Sequence, residues 1–236
     1  MQGPPRKRPH RHTIASFQAV MGKVAFDQNL ARVDALVDLY ASLPRALKGR
    51  SSGGGADVLR AAVVLLHASL EDLLRQVALF HIPDAAEDAL AKIPLAGCAP
   101  REKFTLGDLT RFRGKTIQEV LNESVWHHYT TSVTFNCVPQ IKDVLERCGL
   151  KQDRVQRFYP ALGAMMTRRH GIVHRADVVD SSHGPQSLSA IKVQSWSSAT
   201  RRFGHMLLAE MSKLRLVDLS RDADVIYKPT RASKRR

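Results

Sequence analysis

The chain has 236 residues, of which 44% are hydrophobic and 6% aromatic, and its formal net charge is +14. This length and composition fit one sizeable hydrophobic core. They argue against a membrane protein, because no apolar run approaches the ~20 residues that cross a bilayer.

Charge and cysteine usage indicate what the protein binds and where it works. Residues 1–12 carry four basic and no acidic side chains, and residues 228–236 carry five and none. These ends are interpreted either as basic arms that bind phosphate non-specifically or as solubilising tails. Three widely spaced cysteines without a C-x-x-C pair, and no apolar core for a secretory signal, predict a cytoplasmic protein.

The first third of the chain predicts two long helices. Apolar residues recur at helical spacing over residues 13–43, which indicates an amphipathic helix. Pro44 and the glycine-rich run 48–56 predict a loop. Asp57 is expected to cap the next helix, which carries an apolar stripe and ends near Phe80.

The middle of the chain predicts short elements. Prolines and glycines between residues 82 and 105 leave room for one short helix, over residues 85–92. Two further short helices are expected over residues 106–111 and 117–128. The β-branched run 130–136 is either a brief strand or an extended connector.

Three more helices are predicted towards the end. Pro139 suits the first turn of a helix that reaches Cys148 and stops at Gly149. Another helix is expected over residues 153–176, with a disturbance at Pro160, and a last one over residues 195–214.

The predicted fold class is all-α, an up-and-down helical bundle with a loop-rich insertion between its middle helices. Residues 13–217 are expected to form a single helical domain. Residues 1–12 are predicted to be a basic disordered arm and residues 218–236 a basic C-terminal tail.

The stretch MMTRRHGIVHRAD, residues 165–177, contains the pattern with the clearest chemistry. Arg169 is followed by the polar His170 and then, after four intervening residues, by His174. A histidine can move protons to or from a ribose hydroxyl near neutral pH. A guanidinium can hold the scissile phosphate and neutralise the charge that builds up on it. This pair predicts RNA cleavage without a metal.

The same residues resemble a known family. The R-x4-H pattern in the context RHGIVHR looks like the signature of the HEPN domains, all-helical domains of many prokaryotic ribonuclease toxins and defence effectors. The segment LLHASLEDLLRQVAL, residues 65–79, resembles the helix that precedes the motif helix in the RiboL-PSP-HEPN subgroup. The segment FNCVPQIKDVLERCGL, residues 135–150, resembles the connecting region of that subgroup. The resemblance implies an HEPN-like fold and a composite ribonuclease site at a dimer interface.

Helix geometry fits such a composite site. Arg169 and His174 are five residues apart, about 140° around a helix at roughly 100° per residue. One helix alone therefore makes an incomplete site, whereas two motif helices across a two-fold axis would bring both pairs into one cleft. The alternative is that Arg169 forms a surface ion pair and His174 fills a polar helix end.

The neighbours of the motif have two interpretations each. His170 is expected to support or position the catalytic pair. Arg168 and Arg175 flank the motif and are predicted to bind substrate phosphates, although both could be ordinary solvated arginines.

A metal site is the weaker interpretation of the histidines. His170 and His174 have the i, i+4 spacing of metal ligands. Further ligands would have to come from His127, His128 or Cys137, for which the sequence gives no argument. Proton transfer is therefore preferred, and no metal or cofactor is expected.

A polar ribbon on the second long helix is a further candidate. His67, Glu71 and Arg75 follow one another at i, i+4 positions. They form either a surface salt-bridge ladder or a group in which Glu71 or His67 faces the motif helix and orients its side chains.

The hypothesis is a homodimeric, metal-independent endoribonuclease that cleaves single-stranded RNA to 2′,3′-cyclic phosphate ends. The resemblance of the sequence to the HEPN family implies a toxin or anti-phage effector with an antitoxin or defence-system partner. Two alternatives remain open. One is a non-catalytic HEPN-like module that binds nucleic acid or acts as the partner of a toxin. The other is an architectural protein whose tails do the binding.

Overall fold

The computed structural model describes residues 11–44, 48, 54–98, 105–178 and 184–226, and the side chains of residues 11–20 and 211–226 are not described. Within these residues the chain is helical and forms no strand, which confirms the predicted all-α class. Most of the predicted N-terminal arm, residues 1–10, lies outside the described residues. So do most of the loop predicted over residues 48–56 and residues 227–236 of the predicted tail.

Seven α-helices and three short 3₁₀ turns make up the described part of the chain. The helices are α1 (Arg11–Ser42), α2 (Gly54–His81), α3 (Glu87–Leu90), α4 (Ile117–Thr131), α5 (Val138–Arg147), α6 (Tyr159–Arg175) and α7 (Ala190–Ile226). The 3₁₀ turns are Ile82–Asp84, Asp108–Phe112 and Gln156–Phe158. The turn Asp108–Phe112 lies where the sequence predicted a short α-helix.

Three helix starts differ from the prediction by three residues or more. α7 begins at Ala190 rather than at residue 195, and it ends at Ile226 rather than at residue 214. α2 begins at Gly54, so Asp57 lies inside the first turn rather than at the cap, where its carboxylate pairs with Arg60 at 2.9 Å. α6 begins at Tyr159 rather than near residue 153. Pro160 occupies the first turn of α6, where its missing N–H and fixed φ are tolerated, so the proline starts the helix instead of disturbing it.

Two other boundaries depend on local chemistry. α4 starts at a capping box in which Thr116 accepts from the backbone N–H of Glu119 and Glu119 accepts from that of Thr116. α5 ends before Gly149, where the sequence predicted a stop, and the φ of 66° at Gly149 is the left-handed conformation that glycine adopts readily. Thr130 and Thr131 of the run 130–136 belong to the end of α4, and residues 133–136 connect α4 to α5 without forming a strand, so the connector is the correct interpretation for that part alone.

α2 lies at the centre of the fold and packs against α1, α4, α5, α6 and α7. Fourteen of its residues are buried, so it is covered on almost every side. In such a position a helix must bury its polar side chains along with its apolar ones. Arg60 and His67 are two of those buried polar residues, and both have partners described below.

Four long helices form the main bundle. α1 runs antiparallel to α2, since Gly22 lies near Gln76 while Phe26 and Leu73 meet at Gly204. α1 also runs antiparallel to α7: Asp27 accepts from His205, and Asp34 pairs with Arg201. The start of α6 contacts α7 where Tyr159 meets Phe203.

The segment between α2 and α6 forms the insertion that the sequence predicted. It holds α3, α4 and α5, and the last two pack on α2. Of the helices described, none is both long and apolar enough to cross a membrane.

Candidate functional site

α6 brings the motif residues to the surface near its C-terminal end. Leu162, Met165 and Met166 are buried and fix the helix on the core. Arg169 is half-buried, whereas His170 and His174 are exposed. The predicted catalytic residues therefore lie along one helix, where the buried face ends and solvent begins.

Arg169 reaches across to the connector between α4 and α5. Its Nη1 donates to Oδ1 of Asn136 over 3.4 Å, a long hydrogen bond. Its Nε is buried and has no hydrogen-bond partner among the described residues. Within the described part of the chain the guanidinium is thus held at one corner, and its terminal N–H groups have donor capacity to spare.

His170 and His174 lie side by side. Their ring centroids are 4.5 Å apart and the rings are tilted by 42°. The described part of the chain contains no cluster of three histidine, cysteine or acidic side chains that could hold a metal. No described contact joins His174 to Arg169, as the predicted angle between them around the helix implies.

The sequence predicted that Arg168 binds substrate phosphates, but in the structure its guanidinium is bonded to residues of the protein itself. Its Nη2 donates to Oδ2 of Asp177 over 2.7 Å and to the carbonyls of Gln186 and Ser187 over 2.9 and 3.1 Å. Its Nη1 donates to the Gln186 side chain over 2.6 Å. These contacts support a structural role, because the guanidinium would have to break them to bind a phosphate. Arg175, by contrast, is exposed in the last turn of α6.

Asp177 anchors the C-terminal end of the motif helix. Its side chain is 1% exposed and accepts from Arg60 Nε over 2.8 Å as well as from Arg168. Ala176 and Asp177 have φ angles of 48° and 66°, and the Asp177 N–H donates to the carbonyl of Gly171. This left-handed turn places the Asp177 carboxylate between Arg60 of α2 and Arg168 of α6.

The polar ribbon of α2 is buried at His67 and half-buried at Glu71 and Arg75. His67 is 1% exposed, and its Nε2 lies 3.0 Å from the carbonyl oxygen of Phe135. Because a carbonyl only accepts, this nitrogen carries the proton. Glu71 accepts from the Phe135 N–H over 3.1 Å and lies 3.6 Å from Arg75, which in turn donates to the Tyr129 carbonyl.

Burial lowers the pKa of the His67 imidazole below its usual value. The Glu71 carboxylate and the Phe135 carbonyl oppose this effect, while the positive charge of Arg169 adds to the lowering. His67 therefore stays neutral near pH 7, and its Nδ1 lies 3.7 Å from Glu71 without a hydrogen-bond partner among the described residues. His67 and Glu71 hold the connector that Arg169 contacts, and no described hydrogen bond joins either of them to Arg169, His170 or His174.

Three residues of this region were not singled out from the sequence. Asn136 lies inside the segment that resembles an HEPN connecting region, but nothing in its spacing indicates a contact with Arg169. Arg60 and Asp177 are 117 residues apart, so their ion pair leaves no local pattern. Asp177 does end the motif stretch, and an acidic residue so close to Arg168 is the one sequence signal that could have suggested an ion pair between them.

Comparison with known proteins adds no relative to these observations. No protein family, no curated protein and no solved structure matches the chain. An arginine with spare donors and two exposed histidines can bind an anion and exchange a proton with it.

Proposed function

We propose that this protein is a metal-independent endoribonuclease of the HEPN type that cleaves single-stranded RNA. The observation that carries the proposal is Arg169, whose guanidinium makes one long hydrogen bond among the described residues, to Asn136, and lies on the same helix as two exposed histidines. A phosphate offers acceptors for the terminal N–H groups of this guanidinium.

The reaction uses the RNA itself as nucleophile. The ribose 2′-hydroxyl loses its proton to a histidine and attacks the adjacent phosphorus, forming the O2′–P bond. The P–O5′ bond breaks, and a protonated histidine gives its proton to the departing O5′. The products are a 2′,3′-cyclic phosphate and a 5′-hydroxyl, and no water or metal enters this step. His174 serves as base or acid, Arg169 stabilises the charge on the phosphorane, and His170 positions them.

A homodimer completes the site in this proposal. Arg169 and His174 are about 140° apart around a helix with roughly 100° per residue, and no described contact joins them. Two copies of α6 facing each other across a two-fold axis would supply both groups to one cleft. Arg175, exposed at the end of each α6, then adds positive charge to that cleft. The biological role that follows from the family resemblance is a toxin or anti-phage effector restrained by a partner protein.

Paired variants test the proposal. His174→Ala and Arg169→Ala should each lower the cleavage rate of a single-stranded RNA by about a hundred- to ten-thousand-fold, the range for losing one such group. His127→Ala and Arg113→Ala remove an exposed histidine and an exposed arginine elsewhere and should keep the wild-type rate. Wild-type rates in both motif variants would move the active site elsewhere, and no cleavage by the wild-type protein would leave the non-catalytic alternative.

Mixing the two inactive variants tests the dimer. If the cleft draws on both copies, a heterodimer of Arg169→Ala with His174→Ala retains one arginine and one histidine in it. Cleavage should then return in the mixture but not in either variant alone. Subunit exchange, followed by pull-down of differently tagged copies, shows that heterodimers have formed. Exchange without recovered activity, or an active monomer, would contradict the composite site.

A further inference from the structure

The connector between α4 and α5 is fixed by three contacts at a single residue. Phe135 donates its N–H to Glu71 over 3.1 Å, and its carbonyl accepts from His67 over 3.0 Å. Its ring is 1% exposed and belongs to the main core. One helical turn of α2 therefore binds both backbone polar groups of Phe135, while the core holds its side chain.

Asn136 is the next residue in the chain, so its backbone position is constrained by the contacts of Phe135. Its N–H donates to Oε1 of Gln140 over 2.7 Å, and the next N–H, that of Cys137, donates to the same oxygen over 3.1 Å. The backbone of Asn136 is therefore tied from both sides, while its side chain is exposed. The amide that faces Arg169 is carried by one of the best-anchored points of the connector.

We propose that Asn136 is a positioning residue that holds the Arg169 guanidinium where it binds the scissile phosphate. Arginine has a long side chain, and ordering it costs conformational entropy if nothing holds it beforehand. Asn136 supplies a neutral acceptor, which fixes Nη1 without cancelling the positive charge. His67 and Glu71 act one step further back, through Phe135. This inference rests on the proposed function, since it explains how Arg169 is made ready for the phosphate.

Because the acceptor is the neutral amide of Asn136, two substitutions at this position have distinct expected effects. Asn136→Ala removes the acceptor and frees the guanidinium, whereas Asn136→Asp holds it with a carboxylate that neutralises the charge needed by the phosphate. Both variants should lower the single-turnover cleavage rate by about ten- to a hundred-fold, the scale of a small misplacement or loss of charge at a reacting centre. The fold should be unaffected, because Asn136 is exposed.

A double-mutant cycle separates positioning from a general structural effect. Arg169→Lys alone should be slow, and adding Asn136→Ala to it should change the rate less than two-fold, because the group that Asn136 positions is already gone. Asn122→Ala is the matched control, since Asn122 is also exposed and accepts one long side-chain hydrogen bond, from Gln118 at 3.3 Å. Independent, multiplying effects of Asn136→Ala and Arg169→Lys would overturn the inference, as would an Asn136→Ala rate equal to that of the control.

A spectroscopic readout keeps this inference distinct from the proposed function. The Nε–Hε signal of Arg169 in a ¹H–¹⁵N spectrum, assigned by its loss in Arg169→Lys, should shift in Asn136→Ala and stay in place in Asn122→Ala. A shift in a protein that does not cleave RNA would support the positioning contact while the proposed function falls. An unshifted signal would overturn the positioning role, whatever the protein cleaves.

Discussion

Adjacent arginines can have opposite tasks when a helix turns them by roughly 100°. Arg168 points to Asp177 and to two backbone carbonyls, and four of its hydrogen bonds are made within the protein. Arg169 makes one long hydrogen bond to Asn136. The first arginine is a clamp for the end of α6, and the second has the capacity to bind an anion.

The clamp predicts a large stability difference between two aspartates. Asp177→Ala leaves Arg60 and Arg168, whose side chains are 8% and 14% exposed, without their shared carboxylate. The free energy of unfolding should fall by about 3 kcal/mol, as for other broken buried pairs. Asp57→Ala removes a partner of Arg60 whose side chain is 72% exposed and should cost less than about 1 kcal/mol. Urea denaturation of both variants measures the difference, and equal losses would contradict a buried clamp.

At this scale the sequence predicted which residues share the motif helix better than it predicted their contacts. The pattern Arg169, His170, His174 marks residues that lie together near the end of one helix. The division of labour between Arg168 and Arg169 could not be predicted, because the partners of Arg168 lie nine to nineteen positions further along the chain, beyond a left-handed turn. The buried state of His67 was equally hidden, since i, i+4 polar spacing is the usual signature of an exposed helix face.

At the level of elements, α1, α2 and α7 meet at one crowded point. A methyl group on Gly204 would lie 2.3 and 2.5 Å from ring carbons of Phe26 and 2.9 Å from a methyl of Leu73. Both neighbours are buried, so neither can move aside cheaply. Gly204 thus sets the distance at which these helices pack.

Gly204→Ala should therefore destabilise the protein although alanine is the better helix former. Overpacking costs about 1–3 kcal/mol, which exceeds the roughly 0.5–1 kcal/mol gained by replacing a helical glycine. Gly163→Ala is the control, because its methyl would meet only Val138 at 3.4 Å, an ordinary contact. Thermal denaturation should show a lower Tm for Gly204→Ala and an unchanged or higher one for Gly163→Ala. A Gly204→Ala protein as stable as the wild type would show that the helices can separate easily.

Helix periodicity predicted the long elements because each has a sustained apolar stripe. It missed the starts of α2, α6 and α7. The first two have physical reasons that involve neighbouring residues. The glycines before Asp57 are included in α2 even though glycine is a poor helix former, with Gly55 and Ala56 buried. The predicted helix from residue 153 is shortened because a 3₁₀ turn and Pro160 set the true first turn of α6 at Tyr159.

For the whole molecule, one buried cysteine thiol and two largely buried tyrosine hydroxyls should make the free energy of unfolding fall at alkaline pH. Burial raises the pKa of the Cys148 thiol from 9.0 to about 12, and those of Tyr129 and Tyr159 from 10.0 to about 12. In the unfolded chain these groups lose their protons earlier than in the folded one. The stability they contribute is therefore complete below about pH 9 and is lost as the pH rises towards 12.

Urea denaturation between about pH 8 and 10 tests this linkage, since the thiol titrates first. The free energy of unfolding should decline over this range, and Cys148→Ala should make the decline shallower. Cys137→Ala, which removes an exposed thiol, should leave the decline as in the wild type. The same slope in all three proteins would show that Cys148 is not protected from ionisation in the folded state.

The account of the whole molecule depends most on metal-independent cleavage of RNA by the α6 motif. The direct measurement is incubation of a defined single-stranded RNA with wild-type protein in excess EDTA, with His174→Ala prepared in parallel, followed by mass analysis of the new ends. The account predicts cleavage by the wild type alone, with 2′,3′-cyclic phosphates and 5′-hydroxyls as products. Activity that disappears in EDTA and returns with one particular metal ion would contradict it, as would 5′-phosphate ends or equal cleavage by the His174→Ala protein.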